Sequence, residues 1–306
     1  MQKTANKNTK KVYRYPFMEG GEKTSKDISE IVSSLERNFA KYLENDEARY
    51  KNYLQIMARF HNYSVNNSML IFMQRPNATY ISSFSGWKSI GRKVKKGEKG
   101  IRIIAPVTIK VRQKSDEENQ ESPEEQEKLV AFRFAYVFDL EQTEGKELPF
   151  LSAAELTGKV PDYSKLMSAI RKISPVSIHY ENLEATVKGY YDLTAKEIII
   201  RSGMSELHTV KTALHEITHV LLHSDRNDKK SSFERETEAE SVAYVVCNAL
   251  GLDTAEYSFP YLTSWSQEHT PKELKSSLFL VRKTADSIIN QLIIQLEPEQ
   301  HMTTIE

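Results

Sequence analysis

Residues Leu214-His215-Glu216-Ile217-Thr218-His219 carry an HExxH run, and the reading of the C-terminal half starts from it. Two histidines four apart on a helix lie about 40° apart around its axis, so both imidazoles reach one metal ion. Zinc takes imidazole nitrogen at about 2.0–2.1 Å, and catalytic zinc sites keep one position open for water. Glu216 stands about 100° round from His215, beside the metal and not on it. There it can take a proton from zinc-bound water, whose pKa falls to roughly 7. A five-residue motif is short, so its setting has to support it.

The setting does so on both sides. Upstream, the β-branched run Lys196–Arg201 reads as a strand. Ser202-Gly203-Met204-Ser205 breaks it and offers Ser205 as an N-cap. Leu207, Val210, Leu214, Ile217, Val220 and Leu221 then recur at helical spacing, which predicts an amphipathic helix of about five turns. After the polar loop Ser224–Ser232, a second helix runs from Phe233 to Leu250 and stops at Gly251, a suitable C′ residue. Glu236 and Glu240 lie one turn apart on the face that also carries Ala239 and Ala243, whose small side chains permit close approach. One of these glutamates is expected as third ligand and the other as partner of a histidine's second nitrogen. Glu236 is taken as the ligand, with Glu240 as outer partner or alternative ligand; Glu238 points elsewhere. The expected centre is one Zn²⁺ per chain on His215, His219 and Glu236, with Glu216 as catalytic base. Cys247, on the inner face of the second helix, is expected to be core.

Composition sets the frame. A chain of 306 residues predicts two domains. Its apolar stretches are far too short to span a membrane, so no membrane partner is expected. The first residues have no apolar core of a signal peptide, and one cysteine excludes a disulfide framework. A cytoplasmic location is expected from both.

Forty-two basic and 42 acidic residues give zero net charge, but they are unevenly spread. Residues 1–114 hold 23 Lys and Arg against 9 Asp and Glu, and residues 115–306 hold 19 against 33. Such asymmetry points to a polyanion-binding module joined to an acidic one. Between Lys88 and Lys114 there are ten basic residues, among them Lys88, Arg92, Lys93, Lys95, Lys96, Lys99 and Arg102, against Glu98 alone. Gly91, Gly97 and Gly100 predict that Lys93–Lys99 forms a loop with its ammoniums in solvent. Neutralising phosphates releases counterions, so such a loop binds nucleic acid regardless of sequence. Tyr80, Phe84 and Trp87 lead into it as stacking candidates for single-stranded DNA, although Trp87, like Phe72, also reads as core.

The organisation follows from these pieces. Residues 1–24 read as a disordered basic tail, and 25–142 as an α+β DNA-binding domain with helical patterning from Ile28 to Tyr63. Within it, Ile101–Arg112 and Leu129–Leu140 read as strands that pair antiparallel, separated by an acidic disordered insertion at 115–128. A linker is expected over 143–162, a mainly helical zincin-like domain with a short sheet over 163–298, and a tail over 299–306. An amphipathic helix from Pro271 to about Leu296 is expected to pack on the core.

The run Phe84-Ser-Gly-Trp-Lys-Ser-Ile-Gly-Arg-Lys-Val-Lys-Lys-Gly-Glu-Lys-Gly100, followed by Ala135-Tyr-Val-Phe-Asp-Leu-Glu-Gln-Thr143, resembles the single-stranded-DNA-binding domain of ArdC-type antirestriction proteins. The HEITH run and the Arg235–Tyr244 helix resemble the zincin-type domain joined to it in ArdC-type and LtrC-like proteins. The resemblance covers roughly residues 30–265. It implies a protein of mobile, conjugative DNA that binds the incoming single strand and opposes restriction, with a metallopeptidase-like second domain. Two other readings stay open at this point: a regulatory protease that DNA tethers to its protein substrate, and a DNA-binding module whose metal only stabilises the fold.

Overall fold

The computed structural model describes residues 25–43, 46–112, 125–147, 160, 162–225, 229–252 and 270–296. The chain divides into two compact bodies. One comprises residues 1–34 and 106–133, and the other residues 35–105 and 134–306. The predicted N-terminal tail and most of the acidic insertion and of the predicted linker lie outside the described residues.

Three helices open the chain: α1 (Ser25–Leu43), α2 (Glu47–Arg59) and α3 (Val65–Gln74). Asp46 caps α2 by accepting from the Arg49 amide, and Ser64 caps α3 by accepting from the Asn67 amide. Their apolar faces meet around Phe39, Tyr53 and Phe72, whose rings pack edge to face at 4.6–6.1 Å. Phe72 is core, as its apolar neighbours predict.

Short elements follow: β1 (Ile81–Ser83), α4 (Phe84–Ser89), β2 (Arg92–Val94), β3 (Ile101–Arg112), β4 (Glu125–Asp139), a 3₁₀ turn (Leu140–Gln142) and β5 (Thr143–Gly145). One sheet runs β1-β4-β3, and β2 pairs antiparallel with β5. Three details differ from the sequence expectation. Arg92–Val94 is a strand and not loop, because Val94 turns inward to a buried position while β5 supplies a partner. The partner, Thr143–Gly145, lies where a linker was expected. β4 begins at Glu125, inside the expected insertion.

The free edge of β3 is closed over residues 102–104 by side chains of α3. Asn67 exchanges two hydrogen bonds with the backbone of Ile104, both 2.8 Å, and Gln74 does the same with Arg102, both 2.9 Å. Two primary amides thus take the place of a neighbouring strand.

The C-terminal half contains α5 (Tyr163–Ile173), β6 (Ser177–Glu181), β7 (Gly189–Asp192), β8 (Glu197–Arg201), α6 (Glu206–His223), α7 (Ser232–Ala249) and α8 (Pro271–Leu296). β8 is central, parallel to β6 and antiparallel to β7, and Ile198–Ile200 are buried on both faces. Ser205 caps α6 as predicted, Ser231 and Glu234 form a capping box on α7, and Gly251 has φ 71°. Helix α8 packs Leu278, Val281, Ile288 and Leu292 against the core, as its stripe predicts.

The architecture is α+β with two domains, but their helices share one apolar core that includes residues from Leu35 to Leu292. Helix α2 packs directly on α7. Lys275 pairs with Glu36 at 2.6 Å, and His61 with Asp286 at 2.7 Å. Among the described residues no helix is long and apolar enough to cross a membrane.

Candidate metal centre and basic face

Helix α6 projects His215 and His219 toward α7, where Glu236 meets them. The two Nε2 atoms are 3.0 Å apart, Glu236 Oε2 is 3.4 Å from His215 Nε2, and Glu236 Oε1 is 3.4 Å from His219 Nε2. Ligands 2.0–2.1 Å from a tetrahedral ion stand about 3.3–3.4 Å from one another. The three donors therefore fit one divalent cation within a few tenths of an ångström, and they are grouped as a candidate metal set. Ala239 and Ala243 are fully buried between the helices, which lets α7 come close enough.

Glu240 takes the outer position. Its Oε2 lies 3.2 Å from His215 Nδ1, and its Oε1 is paired with Lys211 at 3.0 Å. With Nδ1–H given to Glu240, the Nε2 lone pair of His215 faces Glu236 and His219. Lys211, one turn before His215, was not singled out by sequence, although its i−4 spacing is visible there. Glu238 is directed away, to a buried site where it accepts from Lys230 Nζ at 2.6 and 2.8 Å and from Ser277 Oγ at 2.7 Å.

The electrostatics are mutual. Burial opposes a charge on His215, but hydrogen bonds to Glu236 and Glu240 override it and push the imidazole up to about 10. Hydrogen bonds from His215 and His219 hold the Glu236 carboxyl well below the usual range. Burial would raise Glu240, yet His215 and Lys211 outweigh it and hold that carboxyl down. Glu216 goes the other way: burial pushes it up against the pull of the two histidines. One Glu is thus pushed up and the other held down at the same centre.

Glu216, His215 and His219 line a cleft of about 760 Å³ whose far wall is β7. The Tyr191 backbone amide donates to the Glu216 carboxylate. Gly189 lets β7 come this near: a Cβ there would lie 2.7 Å from Thr212 Cγ2 and 2.8 Å from the Ile199 carbonyl. β7 carried no strong local signal, being four residues long, and its part in the site was not foreseen.

The predicted nucleic-acid residues gather in the N-terminal half. Lys88, Lys93, Lys96 and Lys99 are exposed. Lys95 is exposed too, but its Nζ donates to the Glu141 carbonyl at 2.8 Å. Arg92 is committed elsewhere: its guanidinium donates to Thr143 Oγ1 and to the carbonyls of Thr143, Gly145 and Lys146. It fastens β2 to β5. Arg102 lies over the Phe134 ring at 5.2 Å.

Of the aromatic candidates, Phe84 is 58% and Tyr80 37% exposed. Trp87 corrects the expectation. It is fully buried, and its Nε1–H donates to the Phe138 carbonyl at 2.8 Å, so its ring offers no face to a base. Tyr136, at 57% exposed, was missed as a stacking candidate because it sits in a strand that reads as core.

The two motif segments prove to be partners. Asp139, fully buried, accepts from the amides of Thr79, Tyr80 and Glu141 and from Arg75 Nε. Gln142 Nε2 donates to the Lys99 carbonyl at 2.8 Å and to Glu98 at 2.9 Å, and the Lys95 amide donates to the Gln142 carbonyl. The Asp-Leu-Glu-Gln turn is the frame on which the basic loop and the Tyr80 segment are stretched.

Comparison with known proteins agrees with this division. Residues 22–138 match the N-terminal domain of anti-restriction factor ArdC, and residues 172–261 match the IrrE N-terminal-like domain of a peptidase family. A Bacillus anthracis protein described as uncharacterized is 28% identical over 311 aligned positions, covering 89% of this chain. The chain spans about half, 52%, of that relative. Two crystal structures of the antirestriction ArdC protein from plasmid R388 share the fold. The Mn(II)-bound one has a TM-score of 0.55 at 19% identity, covering 88% of this chain and 99% of its own. The metal-free one has a TM-score of 0.50 at 21% identity, covering 76% and 85%. The chain thus joins an ArdC-type N-terminal domain, over residues 22–138, to an IrrE-like domain, over residues 172–261.

Proposed function

We propose that this protein binds single-stranded DNA through its N-terminal half, acts in antirestriction during DNA transfer, and carries a zinc peptidase centre in its C-terminal half. The observation that carries the peptidase reading is the convergence of His215, His219 and Glu236 at 3.0–3.4 Å beside Glu216, on an open cleft. Structural zinc sites are closed by four protein ligands, whereas catalytic ones keep three and an open position. Three donors facing a cleft favour the catalytic reading over the purely structural one. The Mn(II)-bound ArdC structure supports a divalent cation; the two-imidazole, one-carboxylate set suits zinc.

A bound divalent cation would supply Lewis-acid polarisation and make its water acidic. His215, His219 and Glu236 would hold it, and Glu240 would keep His215 in the tautomer that binds. Glu216, steadied by the Tyr191 amide, would accept the water's proton and return it to a leaving amine. Its raised carboxyl suits both halves of that task.

On the other half, the exposed Lys88, Lys93, Lys96 and Lys99 would follow the phosphates, while Phe84, Tyr80 and Tyr136 offer faces to bases. A cytoplasmic site of action is consistent with a DNA-binding role. The test is direct. Zinc-loaded protein, with and without single-stranded DNA, is incubated with a denatured protein pool, alongside Glu216→Gln. Cleavage by the wild type that Glu216→Gln abolishes supports the reading. No cleavage under either condition, with metal bound, would leave a DNA-binding protein with a structural ion.

A further inference from the structure

Two tyrosines of α2 make the same bond in opposite directions. Tyr50 and Tyr53 are both fully buried. Tyr50 Oη lies 2.8 Å from Ser241 Oγ on α7, and Tyr53 Oη lies 3.0 Å from Ser68 Oγ on α3. Each serine has already given its proton to a backbone carbonyl, Ser241 to Thr237 at 2.6 Å and Ser68 to Val65 at 2.9 Å. Each serine is therefore the acceptor, and each phenol the donor.

The consequence differs because of what the gripped turn carries. Thr237 follows Glu236 directly, and Ser241 follows Glu240 directly. The Tyr50–Ser241–Thr237 chain spans the single turn of α7 that bears both carboxylates of the metal centre. The turn held by Tyr53 carries neither.

We propose that Tyr50, a residue of the ArdC-type half, is a positioning residue for the metal centre of the other half, fixing the rotation of α7 that places Glu236 and Glu240. This rests on the metal-site reading above. The geometry leaves little slack. Side chains reach roughly 5–6 Å from a helix axis, so a 10° rotation moves a carboxylate by about 1 Å. Metal–ligand distances tolerate about 0.2 Å. Apolar packing between α2 and α7 permits such a rotation more readily than a directional hydrogen bond does, because it has no preferred direction.

The twin bond supplies its own control. Zinc dissociation constants of the full chain, measured by competition with a chromogenic chelator, are compared for wild type, Tyr50→Phe, Tyr53→Phe, Ser241→Ala and the Tyr50→Phe/Ser241→Ala pair. Urea unfolding of the metal-free proteins is measured beside them. Both Tyr→Phe changes should lower the urea midpoint to a similar degree. Tyr50→Phe should weaken zinc about 3- to 10-fold, below the range for a direct outer-shell carboxylate, and Tyr53→Phe less than about twofold. The pair should be no worse than its weaker-binding single variant, because both remove one bond. If Tyr50→Phe does not fold, Ser241→Ala against Tyr53→Phe decides. Equal zinc affinities in the two Tyr→Phe proteins overturn the inference and leave the metal site standing. A wild-type chain that binds no zinc removes both.

Discussion

Replacing each carboxylate of the C-terminal centre in turn should separate ligand, partner and base. Glu236 has an oxygen 3.4 Å from each histidine Nε2, so Glu236→Ala removes the one group that faces both. Two imidazoles and water then hold the ion, without the negative charge, and zinc affinity should fall by more than about 100-fold. Of the two histidines Glu240 touches only His215, at Nδ1, 3.2 Å away. Loss of such a partner costs about 10- to 100-fold, or roughly 1.4–2.7 kcal/mol. Part of this comes from Lys211, one turn before His215, whose positive charge the Glu240 carboxylate 3.0 Å away would no longer balance. Adding Lys211→Met to Glu240→Gln should therefore recover some of the loss. Glu216→Gln should keep wild-type affinity, because Glu216 lies on the cleft wall against the Tyr191 amide and outside the donor triangle. Competition titration against a chelator of known affinity reads all four proteins. Emptying of the site by Glu216→Gln, or a larger effect at Glu240 than at Glu236, would refute these assignments.

Three further outcomes are expected. Lys93, Lys96 and Lys99 changed together to Gln should make the salt dependence of single-stranded DNA binding shallower, by about 0.7 in log–log slope for each phosphate that is no longer neutralised; Phe84→Ala should weaken binding by about 1–3 kcal/mol with the slope unchanged, as filter binding across a salt series would report. Asp139→Ala strands three backbone amides around a buried hole and leaves Arg75 to Glu141, and should cost roughly 3–5 kcal/mol in urea unfolding while loosening the Tyr80 segment, with DNA affinity falling more than for Phe84→Ala. Burial raises the phenols of Tyr50 and Tyr53 above their ordinary value near 10, so the stability they confer is complete below pH 10 and is lost as pH rises above it, by up to about 1.4 kcal/mol per tyrosine per pH unit; the exposed tyrosines should ionise first and the last tyrosinate absorbance appear together with unfolding, and ionisation of every tyrosine before unfolding would contradict the burial.

The parts legible in sequence were those with a local period or a fixed spacing. HExxH, the capped helices around it, β8 and the apolar stripe of α8 each declare themselves within about twenty residues. Glu236 and Glu240 were readable as a pair, but their different stations depend on how α7 is turned against α6. That rotation is set by contacts such as Tyr50 to Ser241, which are 191 residues apart and leave no trace in either segment alone. Trp87 was legible only as two alternatives for a related reason: core or platform both suit its neighbours, and the Phe138 carbonyl that takes its Nε1–H lies 51 residues away. The kinship of the basic segment with the Asp-Leu-Glu-Gln turn could be named by resemblance, whereas its physical cause, one turn holding two loops, required coordinates.

The side-chain amides of Asn67 and Gln74 on the edge of β3 bear on how this protein lives in company. An unprotected strand edge invites a second copy to dock there, extending the sheet from molecule to molecule. Over residues 102–104 both the donors and the acceptors of that edge are already spent on α3, within the same chain. A neighbour could join only by displacing four hydrogen bonds that cost it nothing to leave alone. Along residues 102–104 the strand is thus kept from answering that invitation, while Phe84 and Tyr136 stay displayed to solvent.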